Sequence, residues 1–428
     1  MYQVGFGDCF LLSFDYGKEI EGRDERHVLI DFGTTARPRS EPPSSEEIVE
    51  DIAKRCGGKL DAIVVTHRHK DHLSAFSSDK RRERLEALEP ELIVQTWTED
   101  PDLDPDAPGP KGAGVAATGA LQPDPSLRFV KELREAQAVA DRIGGALAGE
   151  PGVLGTMGEL ALQQVKNKAA VDNLEKMAKR AKYHGRYVHA GSKSGLEKLI
   201  PGIEVSVLGP PTPKEWPEVA GRERDDDPEY WLGLRRLLDE VKAVAPDIPA
   251  VKAANAPGPT RWLLERMRNR QLDSLQGIVR YLDDALNNTS VILLFKVGKR
   301  RLLFSGDAQI ESWSYALRAK EAKELRKDLA DVDLYKVGHH GSRNGTPRSL
   351  VELWKPGGKL SSLLSTLPHA HNEKSERTTV PRGPLVSALE GLGPVERTDT
   401  LPGGRLFIDV TASTGNKAPF KVRPPDSK

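Results

Sequence analysis

Residues Asp61 to His72 read DAIVVTHRHKDH. The run Ala62 to Val65 is apolar and partly β-branched, as a buried strand is, and it stops abruptly. Thr66, His67, His69, Asp71 and His72 follow, so three imidazoles and a carboxylate fall within six residues. A core does not bury that many polar groups without partners. The chain has ten histidines, and three of them stand here. Imidazole nitrogen and carboxylate oxygen are the usual ligands where a divalent transition metal keeps one position open for water. The competing reading, a solvated turn that happens to hold histidines, does not account for that density.

Outward from this stretch, the preceding segment His27 to Asp31, HVLID, reads as a second strand, turned at Phe32-Gly33 and ended by a carboxylate. Between the two strands, Glu41 to Cys56 holds a helix capped by Ser44 or Ser45, with Glu46, Glu47 and Glu50 near its N-terminus. The chain opens with VGFGD at Val4 to Asp8, and Cys9 to Phe14 runs on as a strand. Beyond His72, Ser77 to Glu89 is a charged helix and Leu92 to Thr96 a short strand. Pro101 to Pro125 carries six prolines and four glycines without periodicity, as a long loop does. Apolar residues at helical spacing from Leu127 to Leu147 predict a helix after Ser126, and a second runs from Met157 to Tyr183. Residues 77–200 therefore read as a helical insertion, and 212–287, with helices near Tyr230 to Ala245 and Trp262 to Leu286, as a second. Strand rhythm returns at Ile203 to Leu208 and, after the second insertion, in VILLFKVGKRRLLF, a hairpin turned at Gly298. A helix at Ile310 to Leu329, strands at Asp333 to Val337 and Leu360 to Ser365, helices near Thr346 to Trp354 and Leu385 to Leu392, and a last strand at Arg405 to Val410 complete the pattern. The tail, 413–428, is polar.

Composition excludes more than it selects. The 428 residues include 63 basic and 63 acidic ones, so net charge makes no global argument for nucleic acid or membrane. Two cysteines, Cys9 and Cys56, rule out a disulfide framework, fit a reducing cytosol and leave His and Asp as the metal ligands. The opening MYQVGFGDCFLLSF has neither the basic region nor the apolar run of a signal peptide, and no stretch approaches the roughly 20 apolar residues of a membrane span. A cytoplasmic protein without membrane partners is the expectation. Basic clusters occur locally, at Lys176, Lys179, Arg180, Lys182 and Arg186 and at Arg261, Arg266, Arg268 and Arg270. An ordinary solvated helix face explains them as readily as contact with a phosphate backbone.

Metal-capable residues recur at strand ends: Asp31, the His67 to His72 cluster, Asp307 after the hairpin, His339-His340 after the strand from Asp333, and His369 and His371 further on. Folding does not need histidine at strand ends, so their recurrence implies that several of these ends converge on one site.

The motifs that carry these residues resemble a known family. THRHKDH resembles the HxHxDH signature of the metallo-β-lactamase fold, FSGDA at Phe304 to Ala308 its bridging-aspartate motif, and VGHHGS at Val337 to Ser342 its last-histidine motif. VGFGD is similar to the VGQGD that opens the metallo-β-lactamase-like domain of ComEC-type bacterial DNA-uptake proteins. The resemblance covers residues 1–76 and 290–410 and leaves out both insertions. It implies an α/β fold, an αββα sandwich built from 1–76 and 290–412 with strands near 92–96 and 203–208. It further implies one or two divalent ions, zinc or manganese. His67 and His69 would bind the first ion, Asp71, His72 and His339 the second, and Asp307 would bridge them. Asp31 would orient a ligand histidine. Asp71 would hold the nucleophile's proton, and His340 or His371 would protonate the leaving group. One departure stands out: Leu286 to Ser290 lacks the histidine that dinuclear members carry there, as ComEC-like sequences also do. His184 and His189 are the spare candidates and read more simply as helix-end and strand histidines.

The implied activity is metal-dependent hydrolysis, first of all by a phosphodiesterase or nuclease on DNA, with Trp97, Trp231 or Trp262 available to stack bases if the substrate is single-stranded. Small esters, lactones or thioesters are the alternative substrates on the same site. A scaffold that binds a protein partner through the insertions is the reading from another class.

Overall fold

In the computed structural model, residues 1–38, 43–104, 107, 109–111, 129–131, 133–135, 137–138, 167–216, 282–319, 323–342, 344–357, 359–367, 380–402, 404–415 and 420–423 are described. The chain is mixed α/β with two largely parallel sheets. The first has five strands in sequence order: β1 (Cys9–Ile20), β2 (Arg23–Phe32), β3 (Ala62–Val64), β4 (Leu92–Thr96) and β5 (Gly185–Val188). β1 and β2 form an antiparallel hairpin, and β2 to β5 run parallel. The second sheet reads, edge to edge, β11 (Val395–Arg397), β10 (Ser361–Leu364), β9 (Leu334–Lys336), β8 (Arg300–Phe304), β7 (Ile292–Val297) and β6 (Ile203–Gly209). Here β6 to β8 are antiparallel and β8 to β11 parallel.

Period-two alternation sorts the side chains of each strand. Phe10, Leu12, Val28, Ile30, Ala62, Val64 and Val94 of the first sheet share one buried cluster with Val205, Leu293, Phe295, Leu302, Phe304 and Leu334 of the second. The intervening residues Leu29, Ile63 and Ile93 join a different cluster with helix residues Ile48, Ile52, Leu85 and Leu174. Leu294, Leu303 and Tyr335 do the same with Trp313, Leu329 and Leu389. The helices that supply those residues are α1 (Ser45–Arg55), α3 (Asp79–Glu86) and α4 (Lys168–Arg180) on the first sheet, and α5 (Ile310–Arg318), α6 (Lys323–Ala330) and α8 (Gly383–Glu390) on the second. One-turn helices α2 (Lys70–Leu73) and α7 (Arg348–Val351) lie between them in sequence. Ser44 is the cap of α1, in a reciprocal capping box with Glu47.

Several expectations change. Within residues 77–200, the first sheet takes β5 besides the expected strand at 92–96, here β4, and α4 buries Leu174 and Met177 against it. β5 escaped notice because GRYV is short and half exposed, with no apolar alternation. The helix from Ile310 is divided into α5 and α6, and the one near Thr346 is the single turn α7. The strand at Arg405 to Val410 reduces to a bridge, Phe407 to Tyr2, and a two-residue strand paired with Lys421–Val422. Most of the loop at 101–125, of the helix from Ser126 and of 212–287 lies outside the described residues, although Phe129, Val130 and Leu133 are buried and helical. Among the described residues, no helix is long and apolar enough to cross a membrane.

Because β2 to β5 are parallel, the segments after Asp31, Val64, Thr96 and Val188 leave the first sheet at one edge. Those after Phe304, Lys336 and Leu364 leave the parallel part of the second sheet in the same way. The carboxyl ends of parallel strands are where α/β proteins bind ligands. Gly33 makes one close approach there possible, since a Cβ would lie 2.5 Å from both the carbonyl carbon of Asp71 and the amide nitrogen of His72. We predict that Gly33→Ala lowers unfolding free energy by about 1–3 kcal/mol through overpacking. Denaturant unfolding of the metal-free protein checks this.

Candidate metal centre

Asp31 sits at the end of β2 with φ +55°, a left-handed conformation that aspartate tolerates better than most residues. Its Oδ1 accepts the Thr66 backbone N–H at 2.7 Å and its Oδ2 accepts the Thr66 hydroxyl at 2.8 Å. Oδ2 also lies 2.8 Å from Nδ1 of His72. One carboxylate thus ties the end of β2 to the residue after β3 and turns the His72 ring so that Nε2 faces away from it. The turn of α2 then presents Asp71 and His72 in succession, latched where the Asp8 N–H donates to the Asp71 carbonyl at 2.9 Å.

The second sheet brings the other half. After β8, Ser305-Gly306 leads to Asp307, whose N–H donates to Ser290 Oγ at 3.2 Å. Gly306, at φ +50°, lies so close to Thr66 that a Cβ would come within 2.7 Å of its side chain. After β9 the chain makes a tight turn with His339 at φ +48° and His340 at φ +51°. Left-handed non-glycine residues cost about 1–3 kcal/mol each, and such strain concentrates at functional sites. Here it aims the His339 N–H at Asp307 Oδ1, 3.1 Å away, and swings the His340 ring inward. Nδ1 of His340 lies 3.0 Å from the Ser365 carbonyl oxygen, to which it donates. Its Nε2 is left 3.2 Å from Asp71 Oδ2 and 3.3 Å from Asp307 Oδ2.

Asp71, His72, Asp307 and His340 each offer one ligand atom, all within 4.8 Å of one another. The group fits a divalent ion. Nε2 of His72 is buried without a hydrogen bond although Asp307 Oδ2 is 3.0 Å away. Both imidazoles have their other nitrogen committed to an acceptor, which is how histidine ligands are held. The donor set of two imidazoles and two carboxylates suits zinc or manganese.

The electrostatics show what the ion would relieve. Burial disfavours charge throughout the site, but mutual attraction overrides it. The neighbouring carboxylates of Asp307 and Asp31 hold His72 well above the ordinary imidazole range. Those of Asp307 and Asp8 raise His340 to about 10. The hydrogen bond from His340 and the charge on His72 hold Asp71 well below the usual carboxylate range. The charges of His72, His340 and Lys336 do the same for Asp307. Burial raises Asp31, although His72 opposes this. Burial and the charge of its histidine neighbours hold His67 neutral.

The expected site residues divide accordingly. Asp71, His72 and Asp307 come together with Asp31 behind them. His340 stands in the position anticipated for His339, which instead has Nδ1 3.3 Å from Asn344 Oδ1. With both nitrogens engaged, His340 is not a free acid for a leaving group. His67 Nε2 and His69 Nδ1 lie 3.0 Å apart, and neither residue is in the four-membered group. His371 and His369 lie outside the described residues. His184 and His189 flank β5 and are not part of the group.

Two residues went unremarked in sequence: Asp8, fully buried, and Lys336, whose Nζ is 2.5 Å from Asp8 Oδ2. Both had a signal. Asp8 shares the parity of Phe10, and Lys336 that of Leu334, and those are inward positions of their strands. A charge in that phase needs an explanation.

Two outcomes follow. Asp31→Asn should weaken divalent-ion affinity by about 10–100-fold, since it leaves the ligands in place and alters only what orients His72. Competition with a chromophoric chelator measures this. An ion needs His340 neutral, and the metal-free residue keeps its proton until about pH 10. Affinity should therefore rise with pH between 7 and 10, by up to about tenfold per unit from this group, with proton release on binding. Calorimetry in buffers of different ionisation enthalpy checks it.

No protein-family model matches the chain and no curated protein matches it, so what the site does has to be read from its geometry.

Proposed function

We propose that the chain is a metal-dependent hydrolase of the metallo-β-lactamase type whose substrate is a phosphodiester, most simply DNA. The observation that carries this reading is the convergence of Asp71, His72, Asp307 and His340 at the carboxyl ends of strands from two sheets. The order of the HxHxDH, SGD and HHGS motifs and the placing of helices outside two sheets that share a core support it, as they would in an αββα sandwich.

Nε2 of His72, Nε2 of His340, Oδ2 of Asp71 and Oδ2 of Asp307 would hold the ion. When bound, such an ion lowers the pKa of water toward neutrality and polarises a phosphoryl oxygen. Asp71 is the ligand nearest the opening, with 14 % of its side chain exposed against 1 % or less for His340 and Asp307. Its carboxylate can therefore take the proton of an attacking water. Asp31 and the Ser365 carbonyl keep the two imidazoles in the tautomer that presents Nε2. His69 keeps a buried Nε2 without a hydrogen bond, 3.8 Å from Asp283, and can donate a proton to a departing oxygen.

The preference for a phosphodiester comes from the same edge of the first sheet. A cleft of about 360 Å³ opens after β4 and β5, lined among others by Trp97, Arg186, Tyr187, His189 and Lys193. It lies two strands from β3, roughly 10 Å at the usual strand spacing. Neither Arg186 nor Lys193 has a carboxylate partner among the described residues. Of the other cations in that basic cluster, Lys179 pairs with Glu175, Arg180 with Glu86 and Lys182 with Glu91, while Lys176 donates to the Asn173 side-chain oxygen. Trp97 is buried and serves the core, while Trp231, Trp262 and the arginines from Arg261 to Arg270 lie outside the described residues.

Purified protein reloaded with manganese or zinc should cut single- or double-stranded DNA, and Asp71→Ala should reduce the rate by about 10²-fold or more. Arg186→Ala with Lys193→Ala should raise KM for DNA, leave kcat near its original value and lower the salt slope of binding by about 0.7 per lost contact on single strands. Turnover of esters or thioesters with every nucleic acid left intact would sink the phosphodiester assignment and keep the hydrolase.

A further inference from the structure

The two oxygens of Asp307 do different things. Oδ2 faces Nε2 of His72 at 3.0 Å and Nε2 of His340 at 3.3 Å. Oδ1 accepts the His339 N–H at 3.1 Å and lies 3.2 Å from Nζ of Lys336. That ammonium also donates to the Gly306 carbonyl at 2.8 Å and sits 2.5 Å from Asp8 Oδ2. Two of its N–H bonds go to Asp307 Oδ1 and the Gly306 carbonyl, and the Asp8 carboxylate is held beside it as an ion pair. The lysine side chain is 2 % exposed, and moving it away would take from two buried carboxylates a cation that both of them contact.

To bridge two ions with one oxygen on each, Asp307 would need both of its oxygens free. Oδ1 of Asp307 is already taken by a fixed cation and a backbone donor. Where the second ion would sit, His67 and His69 offer two ring nitrogens 3.0 Å apart, and the carboxylate of Asp283 lies 3.8 Å from the other nitrogen of His69 without forming a ligand group with the pair. Two imidazoles fall short of the three protein ligands that a catalytic site usually provides.

We propose that the site takes a single divalent ion, held by Asp71, His72, Asp307 and His340, and that the Lys336 ammonium stands where a second ion would neutralise Asp307. This rests on the metal-site reading above and deepens it. Lys336 is a positioning residue: it fixes Asp307 with Oδ2 toward the ion and balances the carboxylate of Asp8, which is wholly out of water.

The test is metal stoichiometry on the full chain, stripped with chelator and titrated with manganese. One equivalent per chain is expected, with the uncoupled six-line spectrum of an isolated Mn(II) at saturation. Two equivalents of similar affinity, or a spin-coupled dinuclear signal, would overturn the proposal. No binding at all would instead overturn the metal-site reading, so the two failures are distinguishable. Lys336→Met keeps the length of the side chain and removes its charge, and it should admit a second equivalent. If that variant still takes one ion with unchanged affinity, the role given to the lysine is wrong. Should it fail to fold, the wild-type stoichiometry and spectrum decide alone.

Discussion

Everything at this site depends on a buried imbalance of charge. The carboxylates of Asp8, Asp31, Asp71 and Asp307 crowd against His72, His340 and Lys336, and all of these groups but Asp71 are almost wholly out of water. Carboxylates are not buried in such number for stability, because desolvation costs several kcal/mol per ion and the pairing only offsets it. In the metal-free protein the histidines answer by holding protons. A divalent ion would satisfy the same carboxylates while freeing the imidazoles to act as ligands. The rest of the geometry serves to keep these groups from relaxing away from one another.

That geometry uses rigid supports. Asp31 is fixed by Thr66, His340 by Ser365 and the Asp71 turn by the amide of Asp8, so each of these groups is held by a hydrogen bond to a different part of the chain. The left-handed residues Asp31, His339 and His340 show where the backbone has been bent to reach the site. Such strain persists only because the shared core of the two sheets over-determines the positions of those strand ends. The glycines at 33 and 306 are the converse: Gly33 lets the loop after β2 touch the Asp71–His72 backbone of the same sheet, and Gly306 lets the second sheet touch Thr66 of the first.

The site also divides the chain into unequal parts. One half of the ligand set precedes residue 73 and the other follows residue 306, with more than half of the chain between them. A strand pair and a helix from that middle region, β4, β5 and α4, complete the first sheet and carry the basic cleft. Among the described residues, the middle of the chain supplies no member of the four-residue group, though its Ser290 accepts the Asp307 N–H.

The chemistry was legible in the sequence because it depends on residue type and spacing. THRHKDH, SGD and GHH point to Asp71, His72 and Asp307, which the structure brings together, and equally to His67, His69 and His339, which it leaves out of the group; the apolar runs of DAIVV and VILLF point to the strands that carry them. Which histidine of the His339-His340 pair turns inward was not legible, since both stand in the same motif and the choice is made by two left-handed residues and the carbonyl of Ser365. Lys336 was missed for a related reason: on its own it is one lysine among many. Its strand phase placed it inside, but only the packing of β9 across from Asp8 shows that a buried ammonium occupies one oxygen of Asp307. Sequence alone determined that a metal-capable site exists and which strand ends feed it, because local patterns encode strands and ligands. Tertiary structure alone decided its membership and its charge balance, because those depend on distances between residues hundreds of positions apart.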